Sequence, residues 1–134
     1  MSMKKGTVYL HLGYRFPDGE LKDKFFVILN TPRQDEVFIT CKTTKEQKWR
    51  LDREGCHSNN NLYVLRANED FFPMKTWIQF HEYYPISQEL LLRYKDRGII
   101  IKKAELREQT IRAIINCVSR SEDISGLYLS MIQR

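Results

Sequence analysis

The chain has 134 residues, enough for one domain with a hydrophobic core that needs no disulfide staples. Hydrophobic residues make up 42% and charged residues 29%, the balance of a soluble globular protein, and no apolar run approaches the roughly 18 residues of a membrane helix. The formal net charge is +5 and uneven: residues 1–53 hold 11 Lys/Arg against 7 Asp/Glu, the rest 11 against 10. Such an excess marks either an anionic partner, most often nucleic acid, or a solubilising face.

In chain order, Val8, Leu10 and Leu12 alternate with Tyr9, His11 and Gly13, the period-2 signature of a half-buried strand. The N-terminal apolar stretch is too short and too broken for a signal peptide. Residues 15–20 form a loop around Pro17-Asp18-Gly19, which is strong turn chemistry. Residues 25–29 are continuously apolar and predict a central strand covered on both faces. After a turn at 31–35, a third strand over 36–43 puts Val37, Ile39 and Cys41 on one face and Phe38, Thr40 and Lys42 on the other. Residues 45–61 are polar and irregular, with a short strand expected near Trp49. Residues 62–65 and 76–80 are the next strands, and Phe71-Phe72-Pro73 packs a connection over the core. Leu90-Leu91-Leu92 and Ile99-Ile100-Ile101 flank a turn at 95–98, either as a hairpin or as a short helix running into a strand. From Ala104 the pattern is helical, with Ile111, Ile114, Ile115 and Val118 in one stripe. Residues 121–123 offer caps for a final short helix carrying Leu127, Tyr128 and Ile132. Strands this closely spaced predict a small antiparallel barrel rather than a parallel sheet, as one domain over 1–134.

Cys41, Cys56 and Cys117 are odd in number and lack CxxC spacing. Cys41 and Cys117 fall in a predicted strand and helix, where a free cysteine acts as a small hydrophobe, and the pattern fits a reducing cytoplasm, against a zinc site and against a disulfide framework. Phosphate-cradling Gly-rich loops, nucleophile elbows and His-x-x-x-His pairs are absent from the sequence, so neither metal nor cofactor is expected. The histidines 11, 57 and 81 lie far apart, and each reads as structural, exposed or a general base. Lys22, Lys24, Lys42, Thr43 and Thr44 converge if the second and third strands pair. Ammonium and hydroxyl groups at such a rim hold a phosphate and neutralise the charge of phosphoryl transfer. The competing reading is a strand end of β-branched threonines among solubilising lysines.

The opening Lys5-Gly6-Thr7-Val8-Tyr9, the run Phe26-Val27-Ile28-Leu29-Asn30, the strand Val37–Thr44, the strand 76–80 and the helix 104–119 follow one another in a familiar order. In this order and spacing the chain resembles the MazF/PemK toxins of toxin–antitoxin pairs. Asp52, Cys56 and Phe72 resemble a divergent branch of the same barrels. The resemblance implies a mainly β fold: an SH3-like barrel of the MazF/PemK/CcdB type with a C-terminal amphipathic helix and a short final helix. It also implies metal-independent cleavage of single-stranded RNA by attack of the ribose 2′-hydroxyl on the adjacent phosphate. Thr43 matches the family's threonine, and the family's Arg-Pro position falls on Asp23-Lys24, where a lysine supplies a point charge in place of a guanidinium fork.

The expected site therefore consists of Lys24 and Thr43 on the scissile phosphate, His11 as base, and Arg15, Lys22, Lys42, Thr44 and Lys45 along the RNA backbone. A homodimer and a cognate antitoxin are expected from the resemblance, while a cytoplasmic location is expected from the cysteines and no membrane association from the short apolar runs. The alternative, favoured by the change at Asp23-Lys24, is a catalytically inactive barrel that binds nucleic acid or a protein, including a topoisomerase-directed toxin.

Overall fold

Residues 3–45 and 53–134 are described by a computed structural model. Among them the elements run β1 (Thr7–Arg15), β2 (Leu21–Ile28), β3 (Phe38–Thr44), β4 (Gly55–His57), a 3-10 turn at Ser58–Asn60, β5 (Leu62–Leu65), β6 (Thr76–Ile86), α1 (Gln88–Asp96), β7 (Ile100–Glu105), α2 (Glu108–Ser119) and α3 (Gly126–Ile132). The strands form one seven-stranded sheet in the order β4-β5-β6-β3-β2-β1-β7, antiparallel throughout. The strand expected near Trp49, and Asp52, lie outside the described residues. No described helix is long and apolar enough to cross a membrane.

The fold is mainly β, as expected, but the barrel is not closed: among the described residues no pairing joins edge strands β4 and β7. The reason lies in the side chains, which make both faces of the sheet apolar. Val8, Val27, Leu29, Ile39 and Cys41 point to one face, where Ile111, Ile114, Ile115 and Val118 of α2 and Met131 and Ile132 of α3 complete the main core. Tyr9, Phe26, Ile28 and Phe38 point to the other, against Leu91 and Tyr94 of α1. Each fully buried large side chain contributes about 1.5–3 kcal/mol, so both faces require cover and helices supply it. The alternation read in the first and third strands, the doubly covered second strand and the α2 stripe all match this arrangement. Leu12 departs from it, being left exposed as β1 runs past the core.

Local chemistry fixes the connections. Gly6 has φ +91°, a conformation that side chains disfavour, while its N–H donates to Ile28 O (2.8 Å) and its carbonyl accepts from Leu106 N (2.8 Å). Asn30, fully buried, closes the β2–β3 connection: Nδ2 donates to Val37 O (3.0 Å) and Oδ1 accepts from Ile39 N (2.7 Å). Arg107 is the N-cap residue of helix α2, and its own side chain makes no capping hydrogen bond. Asp70, from the β5–β6 connection, accepts from Arg107 N at 3.0 Å in its place. Burial would raise the Asp70 carboxyl, but hydrogen bonds from Thr110, Arg107 N and Phe71 N, with the Arg107 charge, hold it below the usual range.

Several sequence expectations are corrected here. Helix α1 runs into β7, which selects the helix-then-strand alternative for 88–105, and α2 starts at Glu108 rather than Ala104. The cap of α3 is Ser125, whose Oγ accepts from Tyr128 N (3.1 Å). Ser121 instead donates to Asn61 Oδ1 (2.5 Å). Strand β6 continues past Phe80 to Ile86 because its register against β3 slips: Lys42 faces Gln79, whereas Thr40 faces Tyr84. The extra residues bend the strand and let Pro85 sit within it. Cys56 and Cys117 are joined in a disulfide that ties β4 to α2, leaving Cys41 as the free, buried thiol. This overturns the reading of three unpaired thiols and removes the argument for a reducing compartment drawn from them.

Candidate functional site

Strands β2 and β3 pair with Phe26 opposite Lys42, so Lys22 and Lys24 before the core and Thr43, Thr44 and Lys45 after it reach the same end of the sheet. There they line a cavity of about 400 Å³ whose apolar walls include Phe16, Phe25, Phe72 and Met74. Five of the expected site residues (Lys22, Lys24, Thr43, Thr44 and Lys45) meet at this cavity. Asp18, Glu20 and Asp23 also line it, so its three lysines face three carboxylates. All three carboxylates are engaged, Asp18 Oδ1 accepting from Glu20 N at 2.9 Å. Glu20 pairs with Lys22 at 3.6 Å, and Asp23 Oδ1 accepts from Gly13 N at 3.0 Å, pinning the bulge at the β1–β2 register slip.

A second cavity of about 310 Å³ lies beside the first and shares Phe16, Asp18, Lys24 and Thr44 with it. It adds Lys42 and Gln79, so here two lysines face one carboxylate. Lys24 Nζ stands 5.6 Å over the Phe16 ring, and Lys42 Nζ stands 5.6 Å over the Tyr84 ring. Lys42 is further held by Tyr84 Oη (3.4 Å) and Glu82 (3.9 Å), which makes it a fixed charge rather than a mobile one. Burial, followed by the Tyr14 and Glu82 neighbours, pushes the Tyr84 phenol up, so Tyr84 is a neutral donor at physiological pH.

Thr43 is only 5% exposed, and its hydroxyl donates to Phe25 O at 3.2 Å. Its proton is thereby committed, and its remaining capacity toward a ligand is as an acceptor. His11 is directly opposite Lys24 in the β1–β2 register, so the two side chains share a face. The His11 ring packs edge-on to Tyr14 (5.5 Å) and Tyr94 (5.8 Å), and its Nδ1 lies 3.2 Å from Leu12 O. A carbonyl only accepts, so Nδ1 is the donor in this contact and Nε2 is the ring nitrogen left for other partners.

The remaining candidates fall elsewhere. Arg15, like His11, lines neither cavity, and it donates to Gly19 O across the β1–β2 turn at 3.4 Å. His57 donates from Nε2 to Arg53 O at 2.7 Å, and neither it nor the exposed His81 lines the cavities. Cys41 is buried with its thiol pushed up to about 12 by desolvation, which excludes it as a nucleophile. Sequence reasoning passed over Phe16, Met74 and Gln79. The turn at Pro17-Asp18-Gly19, which folds Phe16 back toward the sheet, was the available signal for the first. Nothing in the sequence marked Gln79.

No family model, curated protein or solved structure matches this chain. The resemblance to the MazF/PemK toxins therefore rests on the residues quoted for it alone.

Proposed function

We propose that this protein is a toxin-like, metal-independent endoribonuclease of MazF/PemK type that acts on single-stranded RNA, with its site at the Lys24 rim. The observation that carries this reading is the gathering of Lys22, Lys24, Thr43, Thr44 and Lys45 around one cavity, with His11 in register with Lys24. In the proposed reaction His11 Nε2 takes the proton of a ribose 2′-hydroxyl. The freed oxygen bonds to the adjacent phosphorus, the bond to the 5′-oxygen breaks, and that oxygen takes a proton from solvent water as it leaves, His11 then returning its own proton to the solvent. Products are a 2′,3′-cyclic phosphate and a 5′-hydroxyl. Lys24 stabilises the doubly charged phosphorane-like transition state, a contribution of about 10²–10³ in rate for a well-placed group. Lys22 and Lys45 hold flanking phosphates. A homodimer, an acidic antitoxin and the SH3-like classification follow from the same resemblance.

A second reading, binding without cleavage, draws on one observation: the Thr43 hydroxyl is committed to Phe25 O where the resemblance wants it on the phosphate. One experiment separates the two. Single-stranded RNA is incubated in chelator with wild type, Lys24→Ala, Thr43→Val and His11→Ala. The nuclease reading expects cyclic-phosphate ends from wild type and a loss of at least about 100-fold in Lys24→Ala and His11→Ala. RNA that is bound but left intact by wild type supports the second reading, and full activity in all three variants removes these residues from the site.

A further inference from the structure

Tyr9, Phe26, Lys42, Gln79 and Leu62 are register partners in turn across β1, β2, β3, β6 and β5, so their side chains form one row on the α1 side of the sheet. Every polar group in such a row needs a partner, since a buried amide without one costs about 1–3 kcal/mol. Lys42 has Tyr84 and Glu82. Gln79 is 5% exposed and lines the 310 Å³ cavity; its carboxamide has no protein partner among the described residues but is not sealed off, since Tyr83 Oη is the one fully buried side-chain polar atom there without a partner. The same cavity is walled by the Phe16 ring, with the Lys24 and Lys42 ammonium groups at its sides. A flat aromatic face, a carboxamide donor–acceptor pair lining the space and two cations within one small cavity match the three parts of a nucleotide: the base plane, the base edge and the phosphate.

We infer that this cavity is a nucleobase subsite, in which a base unstacked from single-stranded RNA lies on Phe16 and presents its hydrogen-bonding edge to Gln79. The inference rests on the RNA reading above and adds to it a residue that reads the base. A volume of about 310 Å³ suits one base with its sugar, at the lower end of the ~300–1,000 Å³ usual for ligand pockets. Lys24 borders both cavities, so moving its ammonium off the ring toward a phosphate in the larger cavity exposes the Phe16 face in the smaller one. Aromatic platforms hold bases with little sequence preference, whereas a carboxamide discriminates by its fixed donor and acceptor.

The test uses short 2′-O-methyl RNA oligonucleotides, which cannot be cleaved, carrying at one position a natural base, a non-hydrogen-bonding base isostere or an abasic sugar. Wild type is expected to bind the isostere about 5- to 100-fold more tightly than the abasic oligonucleotide, through stacking. It is expected to bind the best natural base about 5-fold more tightly again, through the carboxamide. Phe16→Ala removes the first difference, and Gln79→Leu removes only the second; melting curves confirm that both variants are folded. Because Phe16 lies in the turn outside the core, it reports even where the buried Gln79→Leu variant does not fold. If wild type binds all three oligonucleotides equally, or if Phe16→Ala leaves the differences intact, the base subsite is overturned while RNA binding stands. If wild type binds none of them, the RNA reading falls and the subsite with it.

Discussion

Two buried carboxamides stand at either end of β3. Asn30 is clasped between Val37 O and Ile39 N, with a donor and an acceptor matched at 3.0 and 2.7 Å. Gln79, beside Lys42 at the far end of the strand, is nearly as buried and looks into a cavity without such a match. The same chemical group is thus used twice: where its partners are the protein's own backbone it fastens a loop, and where they are not it is held ready for something else. The end that is fastened carries stability, and the end that is open carries the cationic and aromatic groups of the candidate site.

The comparison is broken or sharpened by graded substitutions. The largest effect belongs to the Cys56–Cys117 disulfide. Closing a loop across a sequence separation of 61 restrains the unfolded chain by about 4 kcal/mol, so Cys117→Ser is expected to lower stability in denaturant titrations by up to about that amount. Asn30→Ala strands a buried carbonyl and a buried N–H, and a loss of about 2–3 kcal/mol is expected by the same measurement. Asp70→Asn weakens the cap of α2 by about 1 kcal/mol near neutral pH.

The Asp70 carboxyl also sets a pH dependence. Its folded value lies below its unfolded one, so its stabilisation is fully present above about pH 4 and is lost as acid carries the pH down through the folded value. Stability curves for wild type should fall more steeply there than those of Asp70→Asn. Gln79→Leu, by contrast, removes an unmatched polar group, and its stability should stay within about 1 kcal/mol of wild type or rise. A loss as large as that of Asn30→Ala would erase the distinction between the two amides. The smallest change in stability is expected for Lys45→Ala, under about 0.5 kcal/mol. Its signature lies in RNA binding, where the slope of log K against log salt should become shallower by about 0.7.

Much of the fastened end was legible in the sequence. Alternation in 8–12 and 36–43, the unbroken run 25–29 and the stripe of Ile111, Ile114, Ile115 and Val118 each follow from one local period, and each became the expected element. What depended on distant partners was not legible. Cys56 and Cys117 carry no local signature of their pairing, because only the fold brings β4 onto α2. The extension of β6 through Pro85 required a register slip that no residue announces. At the rim, composition drew attention to the lysines and threonines, which do meet. Phe16 and Gln79 escaped because a phenylalanine before a turn and a glutamine within a strand are unremarkable until the register sets them around one cavity.

The disulfide also divides the chain into a ring and a tail. Strands β5, β6 and β7 and helix α1 lie between the linked cysteines, whereas His11, Lys22, Lys24, Thr43, Thr44 and Lys45 all precede them. If the oxidised protein is stretched by its two ends, the ring contributes almost nothing to the extended length. At about 3.3–3.6 Å per residue, a separation of 61 residues hides roughly 200 Å of contour that reduction would release. The three strands that carry the cations can then unravel under load while the ring behind them stays bounded.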